Sequence, residues 1–349
     1  MSDQHFRFLC FGAGAIGTYI GGSLLQIGQE VVFLERPEIV EKLTSEGLTL
    51  VLEDADHYEA GGVFVSTLDQ ALMEGPFDAA IVAVKSYDTP GLIEMLAPYR
   101  TALPIFLCFQ NGVENEFKFA EVLGEERVIA GTITSAIRRV DAGSIVLERK
   151  RGVGLAGNHP LIEPLLEIFN RADLSARVYT NAASMKWSKL ITNLITNASS
   201  AILDMKPSVI LADKLAFHYE RLQMREALAV MKALGYPVID LPGTSVRAFA
   251  WVLEHLSENL TRIALKDALS AGRGGKMPSF YIDLHSGRGK SEVSALNGAV
   301  VRFGQQVGVP TPVNELLTRT LQDLTAGLIP LDTYAGNPKK LYQTLGDIE

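Results

Sequence analysis

Cysteine is nearly missing from this chain: 349 residues contain two, Cys10 and Cys108. Each lies inside an apolar run with strand character. In the parallel sheet that these runs imply they fall two strands apart, about 10 Å, too far to bridge. A disulfide framework is therefore excluded, and two buried thiols in a reducing cytosol are expected. Cys, His, Asp and Glu nowhere cluster at metal-ligand spacing, so no metal is expected. Long hydrophobic runs are absent as well. A charge or a glycine interrupts each apolar stretch well short of the ~20 residues needed to cross a bilayer, so no membrane partner is expected. Met1 leads into Phe6–Phe11 without the basic and long apolar regions of a signal peptide, and a cytoplasmic protein is expected. The last absence is a basic stripe. Net charge is −8 with the two signs interleaved, which argues against nucleic acid as a partner.

What is there is ample core material, with 47% hydrophobic and 21% charged residues. The length suggests two domains, since single cores rarely grow past ~250–300 residues. The first half alternates strands with helices. Phe6–Phe11, Val31–Leu34, Ala79–Val84 and Pro104–Phe109 read as buried strands of the parallel kind, and Leu48–Leu52 and Val63–Val65 have strand character. A helical run follows Gly12–Gly17 and ends at Gly28. This rhythm predicts a doubly wound α/β sheet of the Rossmann type. Arg127–Ile137 and Gly143–Leu147 are β-rich and suggest an antiparallel extension, with Gly154–Gly157 a turn.

From about Asn181 the pattern is helical: Ala182–Leu203, Val209–Leu234, Ser245–Leu269 and Ser291–Val307, with breaks at Gly235, Pro237, Pro242 and Gly272–Gly275. The boundary is placed near residue 180, giving a dinucleotide-binding domain over 1–180 and an all-α domain over 181–349. Asn337–Glu349 is expected to be loosely held. The long helices of the second half offer surfaces on which a homodimer could form.

Two sites stand out. Gly12-Ala13-Gly14-Ala15-Ile16-Gly17 is a G-x-G-x-x-G loop between a buried strand and an amphipathic helix, the context that makes this motif a dinucleotide cradle. Gly12 permits the turn, Gly14 lets a diphosphate approach, and Gly17 lets helix and strand pack closely. FAD is compatible with the loop alone. The second strand ends in Glu35-Arg36. A carboxylate there grips the ribose hydroxyls of NAD and an arginine pairs with the 2′-phosphate of NADP; Arg36 tips the reading to NADP(H).

The second site is a stripe of Lys189, Asn193 and Asn197 at i, i+4 and i+8, bordered by Leu190, Ile191, Leu194, Ile195 and Ala198. On a helix the three share one face. A narrow Lys–Asn–Asn stripe between Leu and Ile suggests polar groups facing a wet cleft rather than an ordinary solvated face. A partly desolvated lysine suits a general acid beside a ketone oxygen that is receiving hydride. The six histidines show no pairing with a carboxylate of the kind a histidine-based dehydrogenase uses.

Taken in order, these motifs resemble the ketopantoate reductases (2-dehydropantoate 2-reductases) over nearly the whole chain. The matches are Gly12–Gly17, Arg36, Lys85 in Ala83-Val-Lys-Ser86, Gln110-Asn111-Gly112, the Lys189-Asn193-Asn197 helix, and Pro278-Ser279, Asp283, Gly287-Arg288, Glu292 and Leu296-Asn297-Gly298. The resemblance implies a Rossmann domain followed by a helical domain of the 6-phosphogluconate dehydrogenase C-terminal kind. It implies NADPH-dependent reduction of 2-dehydropantoate, a step towards pantothenate. It makes Lys189 the general acid and Glu292 a catalytic-site ligand for the substrate's far hydroxyl, with Asn193, Asn197 and Ser279 as further substrate contacts. Asn111 and Lys85 would lie near the nicotinamide. Two features depart from the family. Asp283–Glu292 is one residue longer and supplies His285 and Lys290, and Glu35 stands where a small neutral residue is usual. Other readings stay open: a reductase of another 2-keto acid, a β-hydroxy acid dehydrogenase on the same plan, or a non-catalytic dinucleotide sensor.

Overall fold

The computed structural model describes residues 5–52, 57–273 and 276–345, without the side chains at 57, 59 and 266–273. The chain divides into two compact units. One comprises the residues up to Lys186 together with Leu241–Thr244; the other comprises Trp187–Asp240 and Ser245 onward.

The described residues of the first unit form twelve strands: β1 (Arg7–Phe11), β2 (Glu30–Leu34), β3 (Leu48–Val51), β4 (His57–Ala60), β5 (Val63–Val65), β6 (Ala79–Val82), β7 (Ile105–Cys108), β8 (Val128–Ile133), β9 (Ala136–Asp141), β10 (Ser144–Arg149), β11 (Val153–Ala156) and β12 (Ala176–Tyr179). Eight form one sheet in the order β12-β11-β8-β7-β6-β1-β2-β5, parallel except where β11 meets β8. The chain leaves β1 towards β2 and β5 on one side and returns to β6, β7 and β8 on the other, so strand order reverses beside β1. Helices cover both faces, which is why these strands are apolar at every position rather than at alternate ones. Phe8, Cys10, Ile81 and Leu107 pack on one face, and Leu9, Phe11, Val82 and Phe106 on the other. Burying each such side chain contributes about 1.5–3 kcal/mol. Cys10 on β1 and Cys108 on β7 are free and buried, two strands apart as expected, with β6 between them. Burial pushes both thiols up, and the Glu35 carboxylate adds to the effect at Cys10.

The β-rich stretch after Gly124 splits between two sheets. β8 joins the main sheet, whereas β9 and β10 pair antiparallel and, with β3 and β4, make a separate four-stranded sheet. Leu48–Leu52 thus belongs to the small sheet, not to the Rossmann sheet. Gly154–Gly157 is not a turn. Gly154 is within strand β11, where a Cβ would lie 2.8 Å from Thr132 Cγ2 and 2.9 Å from Met185 Sδ. Glycine is there for close packing, and the left-handed glycines are its flanks, Gly152 and Gly157.

The second unit is helical, but every long run is broken. Ala182–Leu203 becomes Ala182–Leu194 and Asn197–Leu203, and Val209–Leu234 becomes Pro207–Ala212 and Lys214–Ala233. Ser245–Leu269 becomes Val246–His255 and Glu258–Arg273, and Ser291–Val307 becomes a short 3₁₀ turn over Glu292–Ala295 and a helix over Asn297–Val307. Helix runs through Gly272 to Arg273, and residues 274–275 of the expected break lie outside the described part. The tail is held as far as it is described: Asn337 caps Pro338–Tyr342, and Tyr342 is buried and stacked on Tyr219 with ring centroids 4.0 Å apart. Residues 346–349 of that tail lie outside the described residues. No described helix is long and apolar enough to cross a membrane.

Candidate active site

The Gly-rich loop joins β1 to the helix Ala15–Gln26. Gly12 has φ +99°, its N–H donates to Leu34 O at 3.1 Å, and a Cβ there would lie 3.3 Å from Val84. At Gly17 a Cβ would stand 1.8 Å from Gly12 O, an outright overlap. Gly14 differs: φ is −77°, and a Cβ would meet nothing within 4 Å. The fold therefore demands glycine at 12 and 17 but not at 14, where the space around the backbone is open. The first helical amide bond runs from Thr18 N–H to Gly14 O at 2.9 Å, so the amides of Ala15, Ile16 and Gly17 precede the ladder. No side chain caps this end. A bare helix N-terminus with an open approach fits a diphosphate. Ala13 is buried, and its carbonyl accepts from Thr18 Oγ1 and from Gly143 N–H, which fastens the loop to the small sheet.

The sheet carries the other nucleotide-side candidates to the same edge. Arg36 follows β2, Lys85 follows β6, and Asn111 follows β7, so they join Gly12 at the carboxyl ends of four neighbouring strands. Ligands bind at such an edge where strand order reverses, here between β1 and β6. Arg36 is exposed and its guanidinium lies 3.1 Å from the Glu38 carboxylate. Lys85 is half-buried and precedes the 3₁₀ turn Ser86–Asp88. Asn111 is half-buried, its carbonyl accepting from Asn115 Nδ2 at 2.8 Å.

Sequence reasoning missed what holds the Gln110–Gly112 turn. Lys186 is buried, its ammonium donating to Gln110 O at 2.7 Å and Gly131 O at 3.1 Å and pairing with Glu116 at 2.7 Å. Gln110 Nε2 donates to Thr89 Oγ1, which donates to Asn115 Oδ1. A lysine between Met185 and Trp187, three residues before Lys189, was the available signal. Glu35, weighed from the sequence as a ribose ligand beside Arg36, has a further attachment that the sequence did not show. Its carboxylate accepts from Ala13 N–H at 2.8 Å and from Arg36 N–H at 3.1 Å.

In the second unit, Lys189 and Asn193 are half-buried on a helix whose neighbouring Leu190, Ile191 and Leu194 are buried. The stripe does not continue along one helix. The chain breaks after Leu194, Thr196 takes the left-handed φ of +54°, and Asn197 opens the next helix. The cause is Glu220, fully buried, whose carboxylate accepts from Thr196 N–H at 2.6 Å, Gln223 Nε2 at 2.8 Å and the Ser199 hydroxyl. A buried carboxylate satisfied by that amide holds the break in place. Asn197 is brought to Ser279: its Nδ2 is 3.4 Å from Ser279 Oγ and its Oδ1 accepts from Phe280 N–H at 3.1 Å. Ser279, exposed, begins the helix Ser279–His285. Glu292 is buried at the start of its 3₁₀ turn, with Ser291 as the cap. In the longer segment His285 and Lys290 are exposed, and His285 stacks on Tyr281 at 4.0 Å. The histidines are not all without carboxylates: His218 Nδ1 lies 2.7 Å from Glu258 across 40 residues of sequence, a separation at which pairing leaves no local pattern.

A Rossmann sheet with an open phosphate loop, followed by a helical unit bearing a half-buried lysine, defines a dinucleotide-dependent class of protein. Family models place it further: one described as ketopantoate reductase PanE/ApbA matches residues 8–157, and its C-terminal counterpart matches 181–325. The chain belongs to the ketopantoate reductase family of oxidoreductases. It is similar to the 2-dehydropantoate 2-reductase of Pyrococcus abyssi, 29% identical over 319 residues, covering 89% of this chain and 95% of that one. It also resembles the 2-dehydropantoate 2-reductase of Archaeoglobus fulgidus, 27% identical over 333 residues, with 92% and 99% covered. Among solved structures, a PanE/ApbA family ketopantoate reductase from Ralstonia eutropha superposes with TM-score 0.77 at 25% identity, covering 92% of this chain and 99% of that one. A D-mandelate dehydrogenase solved with NADH and anilino(oxo)acetate shares the fold, with TM-score 0.75 at 20% identity and the same coverage.

Proposed function

We propose that this protein reduces 2-dehydropantoate to pantoate with NADPH. The observation that carries the reading is the half-buried Lys189–Asn193 pair bordered by buried Leu190, Ile191 and Leu194, in a chain that ketopantoate reductase models match along both units. Gly12, Ala13, Gly14, Ala15, Ile16 and Gly17 would hold the diphosphate, Arg36 the 2′-phosphate, and Lys85 and Asn111 the nicotinamide end. The bound nucleotide supplies the hydride.

The protein's own residues do the rest. Lys189 donates a proton from Nζ to the ketone oxygen as negative charge develops there, so that no free alkoxide forms. Asn193 orients the substrate by hydrogen bonding without adding charge. Ser279 binds the substrate, and Asn197 serves it by holding the Ser279 hydroxyl. Glu292 accepts from the far hydroxyl. The protein works as a soluble cytoplasmic enzyme on a small 2-keto acid, and a homodimer is compatible with its helical unit.

The test follows the loss of NADPH absorbance with purified protein and a panel of ketopantoate, pyruvate and 2-ketoisovalerate. Efficient turnover of ketopantoate, weak turnover of the others and loss of both in Lys189→Ala are expected. Inert ketopantoate beside another keto acid that turns over would move the substrate and direct attention to Leu284–Ser291.

A further inference from the structure

Glu35 occupies the position, about 20 residues beyond the Gly-rich loop, from which an acidic side chain reaches the adenosine ribose. Its backbone is fixed, since Glu35 N–H donates to Val65 O at 3.0 Å and so extends the pairing of β2 with β5. Its side chain is fixed too. One carboxylate oxygen accepts from Ala13 N–H of the phosphate loop at 2.8 Å, and the other from Arg36 N–H at 3.1 Å. A carboxylate has about four lone-pair sites, so two backbone donors leave capacity for a ribose hydroxyl. The neighbouring cation is poorly placed to dominate. Arg36 is 64% exposed, and its guanidinium already pairs with the Glu38 carboxylate at 3.1 Å.

We propose that Glu35 is a specificity-determining residue: it accepts from the adenosine 2′-hydroxyl of NADH and repels the 2′-phosphate of NADPH, so that this protein binds both nucleotides. The inference rests on the proposed function only for the seat of the nucleotide. Like charge opposite a phosphate weakens binding, and a buried or half-buried charge is screened less by salt than an exposed one. Arg36 draws the phosphate in while Glu35 opposes it, and the two effects offset each other.

The experiment titrates NADPH and NADH against purified protein by the fluorescence of the reduced nicotinamide, with no keto acid present. The wild type is expected to bind the two within about tenfold of each other. Glu35→Gln keeps an oxygen for Ala13 N–H and removes the charge; it should shift the preference towards NADPH by about tenfold or more. Arg36→Ala should shift it towards NADH. An unchanged preference in Glu35→Gln overturns the proposal, as does a wild type that binds NADPH more than about a hundredfold tighter than NADH. Loss of both nucleotides in Glu35→Gln overturns it as well, by reducing the carboxylate to a brace for the loop. A protein that binds both nucleotides yet reduces no keto acid would remove the proposed reaction and leave this inference standing.

Discussion

Gly14 is the residue at which fold and ligand make separable demands. A Cβ at Gly17 would overlap Gly12 O at 1.8 Å, whereas one at Gly14 meets nothing within 4 Å. Gly17→Ala should therefore lower stability by about 1–3 kcal/mol through overpacking. Gly14→Ala should leave stability within about 0.5 kcal/mol and weaken NADPH binding by about tenfold or more. Denaturant melts and nucleotide titrations on the two variants check this; a destabilised Gly14→Ala with unchanged binding would reverse the reading. Lys186 and Glu116 make the opposite kind of pair, a buried lysine on a half-buried carboxylate, invisible to motif reading. Lys186→Met takes the cation from a half-buried carboxylate and should cost about 3 kcal/mol, and adding Glu116→Leu should recover much of that. A double variant no more stable than the single one, by chemical denaturation, would contradict the account. The loop glycines were legible because phosphate chemistry fixes their spacing. Lys186 was not, because its partners Gln110, Gly131 and Glu116 are 55 to 76 residues away.

Elements whose apolar pattern is continuous were legible, and their ends were not. β1, β2, β6 and β7 are buried on both faces, and a run of large apolar residues says so directly. The helix breaks fall where long-range partners override local periodicity. At Leu194–Asn197 the apolar pattern runs through, but Glu220, more than 20 residues on, takes the Thr196 amide and turns Asn197 into the head of a new helix. Periodicity placed Lys189 and Asn193 on one helix correctly, and extended the face one residue too far. Glu220→Ala would leave Thr196 N–H, the Ser199 hydroxyl and the Gln223 amide without their acceptor, and should cost about 3 kcal/mol or more. Thermal melts measure the loss. A change under about 1 kcal/mol would mean that Glu220 does not set the break. Gly154 was misread as a turn because glycine marks close packing in strands as readily as reversal in loops.

At the scale of the molecule, sequence showed the order of the two folds and the class of ligand. A single β-α rhythm gave the doubly wound sheet, and the family models agree along both units. The second, four-stranded sheet was beyond reach, because it is closed by β3 pairing with β10 across about half the first unit. The return of Leu241–Thr244 to the first unit leaves no sequence signal either. The proposed reaction takes hydride from a nucleotide on the Gly12–Gly17 loop and a proton from Lys189. Its most direct test is a pair of assays on wild type and Lys189→Ala, NADPH oxidation with ketopantoate and NADPH binding by fluorescence. The account predicts turnover in the wild type that falls by about 100-fold or more in Lys189→Ala, with nucleotide affinity within about threefold of wild type. Equal turnover in the two proteins, or no oxidation of NADPH by the wild type with any 2-keto acid, would contradict it.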